Sequence, residues 1–317
     1  MIISPEKSAP KSFTITEEHA DRRIDNYLVP LLKVPRALLY RFIRQGRVRV
    51  NKKRTDPSYR LQTGDQLVIY AFRAEENSAP KIMTPSAKLI EKLTDRILYE
   101  DSDLLILNKP VGLAVHGGTD ISMGVIEVLR QMRQGKNDFL ELAHRLDRDT
   151  SGCLVIAKKR SVLRELHELL RAGKIEKIYR ALTMGRWPKK DNRISAQLER
   201  QEKSQGGRKI KVSEEGKASV TDFHVQQVFG LASLMSVKLH TGRMHQIRVH
   251  AQSAGHPVAG DTKYGDKAFN RMMHQLGLRR LFLHAEKIRF QLPSTLKTIS
   301  VEAPLDEELS VFLSRLK

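Results

Sequence analysis

HRLDRDTSG (residues 144–152) runs straight into CLVIA (153–157) and then RSVLRELHELLR (160–171). Thr-Ser-Gly has turn chemistry, Cys153 to Ala157 is a short apolar strand, and the apolar positions of 160–171 recur at helical spacing and stop around Gly173. The neighbouring segments follow suit. Upstream, RILYEDSDLLIL (96–107) reads as two short strands around an acidic turn, NKPVGLAVHGG (108–118) as a Gly- and Pro-rich loop, and Met123 to Met132 as an amphipathic helix. Downstream, strands are expected at Ile178–Met184, Ala218–Val228 and Ala232–Leu239, then a helix (His245–Ser253), a strand region (Leu281–Phe290) and a last helix (Asp306–Leu316). ERQEKSQGGRKIKVSEEGK (199–217) reads as a mobile hairpin. No internal repeat is visible. This mixed order predicts an α+β domain with a mixed, mostly antiparallel sheet and flanking helices, rather than repeated βαβ units.

The front of the chain is a different unit. Leu28, Leu31, Leu32 and then Leu38, Leu39, Phe42, Ile43 recur at helical spacing, with Gln45-Gly46 closing the second helix. Arg47 to Asn51 alternates as a strand with one wet face, and a Thr63-Gly64-Asp65 turn leads to the strand Gln66–Ala71. Residues 1–17 are expected to be a flexible N-terminus, 18–72 a small α+β domain, 73–90 a linker (RAEENSAPKIMTPSAKL) and 91–317 the large domain.

Charge narrows the partners. Fifty-six Lys plus Arg face 36 Asp plus Glu, a net charge of +20 over 317 residues, which attracts polyanions. No apolar run approaches the roughly 18 residues of a membrane span. The N-terminal MIISPEKSAPKS has no apolar core of a signal peptide. Cys153 stands alone, so no disulfide framework or cysteine metal cluster is expected. These observations imply a reducing cytoplasm and a nucleic-acid partner. The excess is local: residues 31–60 hold ten basic side chains (Lys33, Arg36, Arg41, Arg44, Arg47, Arg49, Lys52, Lys53, Arg54, Arg60) against one acid, Asp56. Arg41 and Arg44 share a helical face, and Arg47 and Arg49 share a strand face, so two short elements present one positive surface suited to a phosphate backbone.

Against that background the acids of HRLDRDTSG need a reason, because carboxylates weaken phosphate binding. Glycoside hydrolysis would use Asp147 and Asp149 as a pair, yet an Asp ahead of Thr-Ser-Gly more often bonds turn amides. Metal-dependent nuclease chemistry needs converging carboxylates or histidines; His116, His144, His245 and His250 are scattered, the last two five apart on a helix. Ser151 has no G-x-S-x-G elbow. One ionised Asp147, acting as nucleophile or electrostatic stabiliser and kept charged by a cation, remains.

Two resemblances bear on this. RIDNYL, FIRQGRVRVNK and LQTGD resemble the S4 RNA-binding domain, which implies binding of structured RNA by shape. HRLDRDTSG, KIYRA (with Lys177 and Tyr179) and TGRMHQIRVH (241–250), together with ILNKPVGLAVHGG, GHPVAGDTKYG and RLFLHA, resemble the RluA-type pseudouridine synthases over essentially all of 90–304. The resemblance implies that Asp147 is the catalytic aspartate and that Tyr179 packs against the target base, with help in proton transfer open. It implies that Arg248 pairs with Asp147 and that Arg145 fills the gap left by an extruded uridine. Arg243 is taken as a phosphate or loop contact, an exchange of roles with Arg248 being left open. Arg36, Arg41, Arg44, Arg47, Arg49, Lys52 and Lys53 are the expected RNA ligands of the front module.

The physics of uridine isomerisation is compatible. N1–C1′ must break, the uracil turn and C5 rejoin, which requires a flipped base. Burial would raise the Asp147 pKa, and a close Arg248 would counter it. No redox or group transfer occurs, so no metal or organic cofactor is implied. The expected partner is large-subunit ribosomal RNA, with a monomer and no obligate protein partner. The alternatives are an RNA-binding ribosome-assembly factor on an inactive synthase scaffold, or a synthase acting on tRNA.

Overall fold

A computed structural model of the chain describes residues 10–32, 34, 36–70, 85–117, 123–133, 139–188, 192–201 and 209–316. The chain divides into two compact units, Met1–Ile82 and Met83–Lys317. The expected linker between 73 and 84, the glycine at 118 and the tip of the 199–217 hairpin at 202–208 lie outside the described residues.

The first unit comprises β1 (Lys11–Thr14), α1 (Ile24–Leu32), α2 (Arg36–Arg44), β2 (Val48–Val50), β3 (Lys53–Arg54) and β4 (Gln66–Ile69), with the strands in the order β1-β4-β2-β3. Its core is Ile15, Ile24, Leu28, Leu39, Ile43, Val48, Val50, Leu61, Leu67 and Ile69. β1 was not expected from a polar N-terminal segment; it pairs with β4 along Lys11–Ile69 to Thr14–Gln66, and only Phe13 of its four residues is not exposed. Leu31, expected inside, is 42% exposed, because the helix turns its Leu28 edge to the core. Two turns lock each other: Asn51 donates to Asp65 (2.8 Å) and accepts from the Gln66 amide (2.9 Å). Asp65 also accepts from the Gln62 amide and the Tyr59 hydroxyl. A buried carboxylate with three such donors is well compensated.

The second unit runs α3 (Ala87–Thr94), β5 (Ile97–Glu100), β6 (Leu104–Lys109), α4 (Val125–Met132), β7 (Glu141–Leu142), β8 (Ser151–Ala157), α5 (Arg160–Arg171), β9 (Glu176–Met184), β10 (Arg193–Arg200), β11 (Ile210–Val212), β12 (Lys217–Phe229), β13 (Ala232–Leu239), α6 (Gln246–Ser253), α7 (Lys267–Gln275), β14 (Leu283–Gln291), β15 (Thr298–Glu302) and α8 (Glu307–Arg315). The strands form one sheet in the order β11-β10-β12-β13-β9-β14-β8-β6-β5, with β15 beside β14 and β7 beside β8. Among the described strands the β14–β8 pair alone is parallel, so the α+β, mostly antiparallel expectation holds.

Alternation explains why the central strands read as continuous apolar runs. Leu105, Leu107, Leu154 and Ile156 enter one core with Val125, Val128 and Leu129 of α4. Leu104, Ile106, Cys153, Val155 and Ala157 enter another with Val162, Leu166 and Leu169 of α5. Both faces of β6 and β8 are therefore covered. The hairpin expected at 199–217 is formed by β10 and β11, paired Leu198–Val212 to Arg200–Ile210 at the sheet edge. Two features of this unit differ from the expectation. Asn108 and Lys109 belong to strand β6, not to a loop. Helix α3 starts inside the expected 73–90 linker, where Ser86 caps it by accepting from the Leu89 amide.

Candidate active site

Asp147 sits on the loop between β7 and β8, and the loop is fastened from two directions just after Asp147. The Lys109 ammonium, fully buried, donates to the carbonyls of Pro110 (2.9 Å), Leu113 (2.8 Å) and Arg148 (3.0 Å). Burial, with Arg280 adding, pushes its pKa down to about 7, while Asp149 and Asp147 pull it upward. On the other side Ser151 bonds His284 Nδ1 (2.8 Å) and accepts from Arg280 Nη2 (2.7 Å); Arg280 also pairs with Asp306. Gly152 has φ +110, and a Cβ there would collide with the Ala285 carbonyl of β14. Only glycine lets the parallel strands meet immediately after the loop.

The second half comes from 241–248. Gln246 uses all four of its hydrogen-bonding positions, accepting from Thr241 Oγ1 (2.7 Å) and the Arg243 amide (2.9 Å) and donating to the Val220 carbonyl and Thr221 Oγ1. This pins the turn against β12 and starts α6 with His245 in the left-handed region, φ +56. One turn into the helix, Arg248 points at two acids. With Asp261 it makes a bidentate pair, Nε to Oδ2 at 2.7 Å and Nη2 to Oδ1 at 2.8 Å. Its Nη1 lies 3.5 Å from Asp147 Oδ2. Burial would raise the Asp261 pKa, but the Arg248 bonds and charge and the Tyr264 and Lys263 amides hold it below its ordinary value. The Asp261 side chain is 0% exposed, whereas Asp147 keeps 20% of its side-chain surface.

These groups line one open cleft, with walls from Arg145, Asp147, Tyr179, Leu239, Arg243, His245, Arg248 and Leu283 among others. Tyr179, on β9 opposite Val237, is 7% exposed. Burial first, and the Asp147 charge second, raise its pKa, so the phenol stays protonated. Among the described residues its hydroxyl has no protein partner. Arg145 is exposed, as is Arg243, whose Nε donates to the Ala218 carbonyl (3.3 Å). The arrangement thus offers a carboxylate, a protonated phenol on a flat ring, apolar walls and guanidinium groups at one opening. Among the described residues no three His, Cys, Asp or Glu side chains are grouped so as to hold a metal ion.

Four residues thought to act together, Arg145, Asp147, Tyr179 and Arg248, do share the cleft. The partnership of Arg248 differs from the expectation. Its short contacts go to Asp261, inside GHPVAGDTKYG and without an expected role, and Asp147 receives one longer contact. Arg243 makes no hydrogen bond or ion pair with Asp147 among the described residues. Asp149 does not bond turn amides; its carboxylate meets Arg148 Nε at 3.0 Å. His245, set aside as one of several scattered histidines, lies 3.7 Å from Asp147 Oδ2. Tyr264 was missed too. For Tyr264 the local signal is one aromatic ring among the polar and glycine residues of GDTKYG; His245 has none.

In the first unit Arg41, Arg44, Arg47, Lys52 and Lys53 are exposed, and Arg49 is half-buried with its guanidinium 5.4 Å from the centre of the Tyr70 ring. The Arg36 side chain lies outside the described residues. No described helix is long and apolar enough to cross a membrane.

Comparison with known proteins adds family evidence. Residues 103–253 match the family model described as RNA pseudouridylate synthase, and residues 22–67 match that of the S4 domain. The chain is 50% identical to "Ribosomal large subunit pseudouridine synthase C" of Pasteurella multocida (strain Pm70), over 98% of this chain and 94% of that one. It is 47% identical to the protein of the same name from Escherichia coli (strain K12), over 99% of each. Among solved structures, "Human RNA Pseudouridylate Synthase Domain Containing 4" superposes with a TM-score of 0.59 at 26% identity, covering 73% of this chain and 97% of that one.

Proposed function

Because the chain belongs to the RNA pseudouridylate synthase family, we propose that it isomerises specific uridines to pseudouridine in large-subunit (23S) ribosomal RNA. The single observation that carries this reading is the meeting of Asp147, Tyr179 and Arg248 in one cleft, in a chain about half identical over nearly its whole length to synthases named for the large ribosomal subunit. In the proposed mechanism the target uridine leaves the stack and enters the cleft, and Arg145 occupies the space it vacates. The uracil lies on the Tyr179 ring. Asp147 acts at the sugar, either by attacking C1′ or by stabilising positive charge there, as N1–C1′ breaks. The uracil turns and C5 joins C1′, displacing the Asp147 oxygen from C1′ if it had attacked there; the C5 hydrogen then leaves as a proton and N1 takes up a proton from solvent. No group is transferred and no electrons leave, so the reaction balances without a cofactor. Residues 18–72 serve as the S4-like RNA-binding domain, 73–90 as the linker and 91–317 as the catalytic domain, working in the cytoplasm. The two compact units and the matched ranges support a front and a back domain, with α3 from Ala87 already inside the second unit.

The test is tritium release from large-subunit transcripts labelled at uridine C5. The wild-type chain is expected to release tritium and leave the RNA mass unchanged. Tight binding without release would favour the assembly-factor reading. Free uracil among the products would make it an N-glycosidase. Release from tRNA but not from the large-subunit transcript would move the substrate to tRNA.

The front module supplies affinity in this scheme. Arg44→Glu combined with Arg47→Glu is expected to weaken transcript binding by about tenfold or more and to flatten the log–log salt dependence by roughly one to two units. Both side chains are exposed, so the fold should be unaffected. Filter binding across a salt series checks this; an unaltered slope would put the RNA surface elsewhere.

A further inference from the structure

Two donors face the same oxygen of Asp147. Arg248 Nη1 lies 3.5 Å from Oδ2 and His245 Nε2 lies 3.7 Å from that same atom. Oδ1 receives no donor from the described residues. His245 is itself held: its Nδ1 lies 2.7 Å from the Tyr264 hydroxyl, which accepts from the Ile210 amide at 3.0 Å. The hydroxyl already accepts from that amide, and among the described residues His245 Nδ1 is the acceptor recorded for its proton, so we assign the phenol as donor to Nδ1. A neutral imidazole accepting at Nδ1 carries its hydrogen on Nε2. The chain of contacts therefore runs from the Ile210 N–H through Tyr264 to His245, and ends with an N–H aimed at Asp147. The backbone agrees with a constrained role, since a histidine at φ +56 is kept in a sparsely populated region by its surroundings.

We infer, on the footing of the proposed isomerase activity, that His245 is a positioning residue for Asp147: with its tautomer fixed by Tyr264, it presents Nε2–H to Oδ2 beside Arg248, leaving Oδ1 as the oxygen that meets the substrate sugar. The separation of 3.7 Å exceeds a hydrogen bond by roughly half an ångström. Such contacts are often long without substrate and shorten once the site is filled. The charge balance gives this donor its importance. Arg248 commits two of its nitrogens to Asp261, so Asp147 shares a guanidinium whose charge is already largely met. A second, uncharged donor on Oδ2 fixes the orientation of the carboxylate without a further positive charge that would blunt it. Burial, against the pull of Asp147 and with Arg248 and Lys263 adding to it, pushes the His245 pKa down to about 4. This direction favours the neutral imidazole near neutral pH.

The experiment uses the full chain and the C5-tritiated large-subunit transcript under single-turnover conditions. His245→Asn suits the left-handed backbone but has no donor at the Nε2 position. It is expected to slow tritium release by about tenfold or more, with transcript affinity and melting midpoint unchanged. His245→Gln carries an amide N–H out to the Nε2 position and is expected to recover part of that loss, about threefold or more, despite a less favourable backbone. Tyr264→Phe releases the tautomer and is expected to slow turnover by a smaller factor. The double variant His245→Asn, Tyr264→Phe should be no slower than His245→Asn alone, because both act through one contact. Wild-type rates in the Asn variant would overturn the inference. So would equal slowing by Asn and Gln accompanied by lost affinity or a lower midpoint, which marks a packing role. A wild-type chain that releases no tritium would instead overturn the isomerase reading itself.

Discussion

Asp147→Asn is expected to abolish tritium release, a fall of at least ~10³-fold, the scale seen when the nucleophile or the main charge stabiliser of an active site is removed. Asparagine keeps the size of the side chain and can still accept from Arg248 Nη1. It carries no negative charge and is a far poorer nucleophile. Because the wild-type carboxylate is partly exposed and its Arg248 contact is long, 3.5 Å, stability should change by no more than about 1 kcal/mol. Transcript affinity should also be nearly unchanged, since Asp147 is negative and lies in a surface that attracts RNA through its cations. The measurement is release against time at saturating enzyme, with filter binding beside it. A variant within tenfold of the wild-type rate would end the role given to this residue.

Asp261→Ala is expected to cost more in folding than any other single change at the site, about 3–5 kcal/mol. It strands the Arg248 guanidinium, whose side chain is only 8% exposed, and leaves the Lys263 and Tyr264 amides without the acceptor they share. Urea unfolding of variant and wild type gives the difference directly. The pH dependence has a definite sign. The folded-state pKa of Asp261 is lowered, so its contribution is present above the unfolded value, about 4. It is lost as pH falls through the folded value. Wild type and Asp261→Asn should therefore differ fully at neutral pH and converge in acid. Parallel curves down to the lowest pH tested would mean that Asp261 is not the group balancing Arg248.

Much of this site can be read from residue order, and the unread part has a physical cause. Asp147, Tyr179 and Arg248 sit in motifs dense enough to be found singly, and the apolar runs of β6, β8 and β13 announce buried strands. Asp261 escapes because its partner lies thirteen residues away across a turn, and its importance comes from complete burial, which no local pattern encodes. His245 escapes because helical periodicity describes the helix interior; a left-handed residue one position before the helix aims its ring by tertiary contacts alone. The β10–β11 hairpin is legible at 199–217, in a polar composition that suits a sheet edge. The α3 helix was hidden by Pro85 and Ser86, read as linker residues when Ser86 is in fact a cap.

The parallel pairing of β14 with β8 has a consequence for how the enzyme is made. Strand β14 separates the strand bearing Tyr179 from the strand that follows Asp147, yet it lies about 130 positions downstream of β8 in the chain. The first unit is complete by Ile69 and has its own core. A growing polypeptide can therefore finish its RNA-binding end while the two chemical groups it already carries still lack the strand that belongs between them. Contacts of such long sequence separation form slowly, so the sheet that holds both chemical groups is expected to close last, and a chain cut short before residue 283 lacks the strand between them.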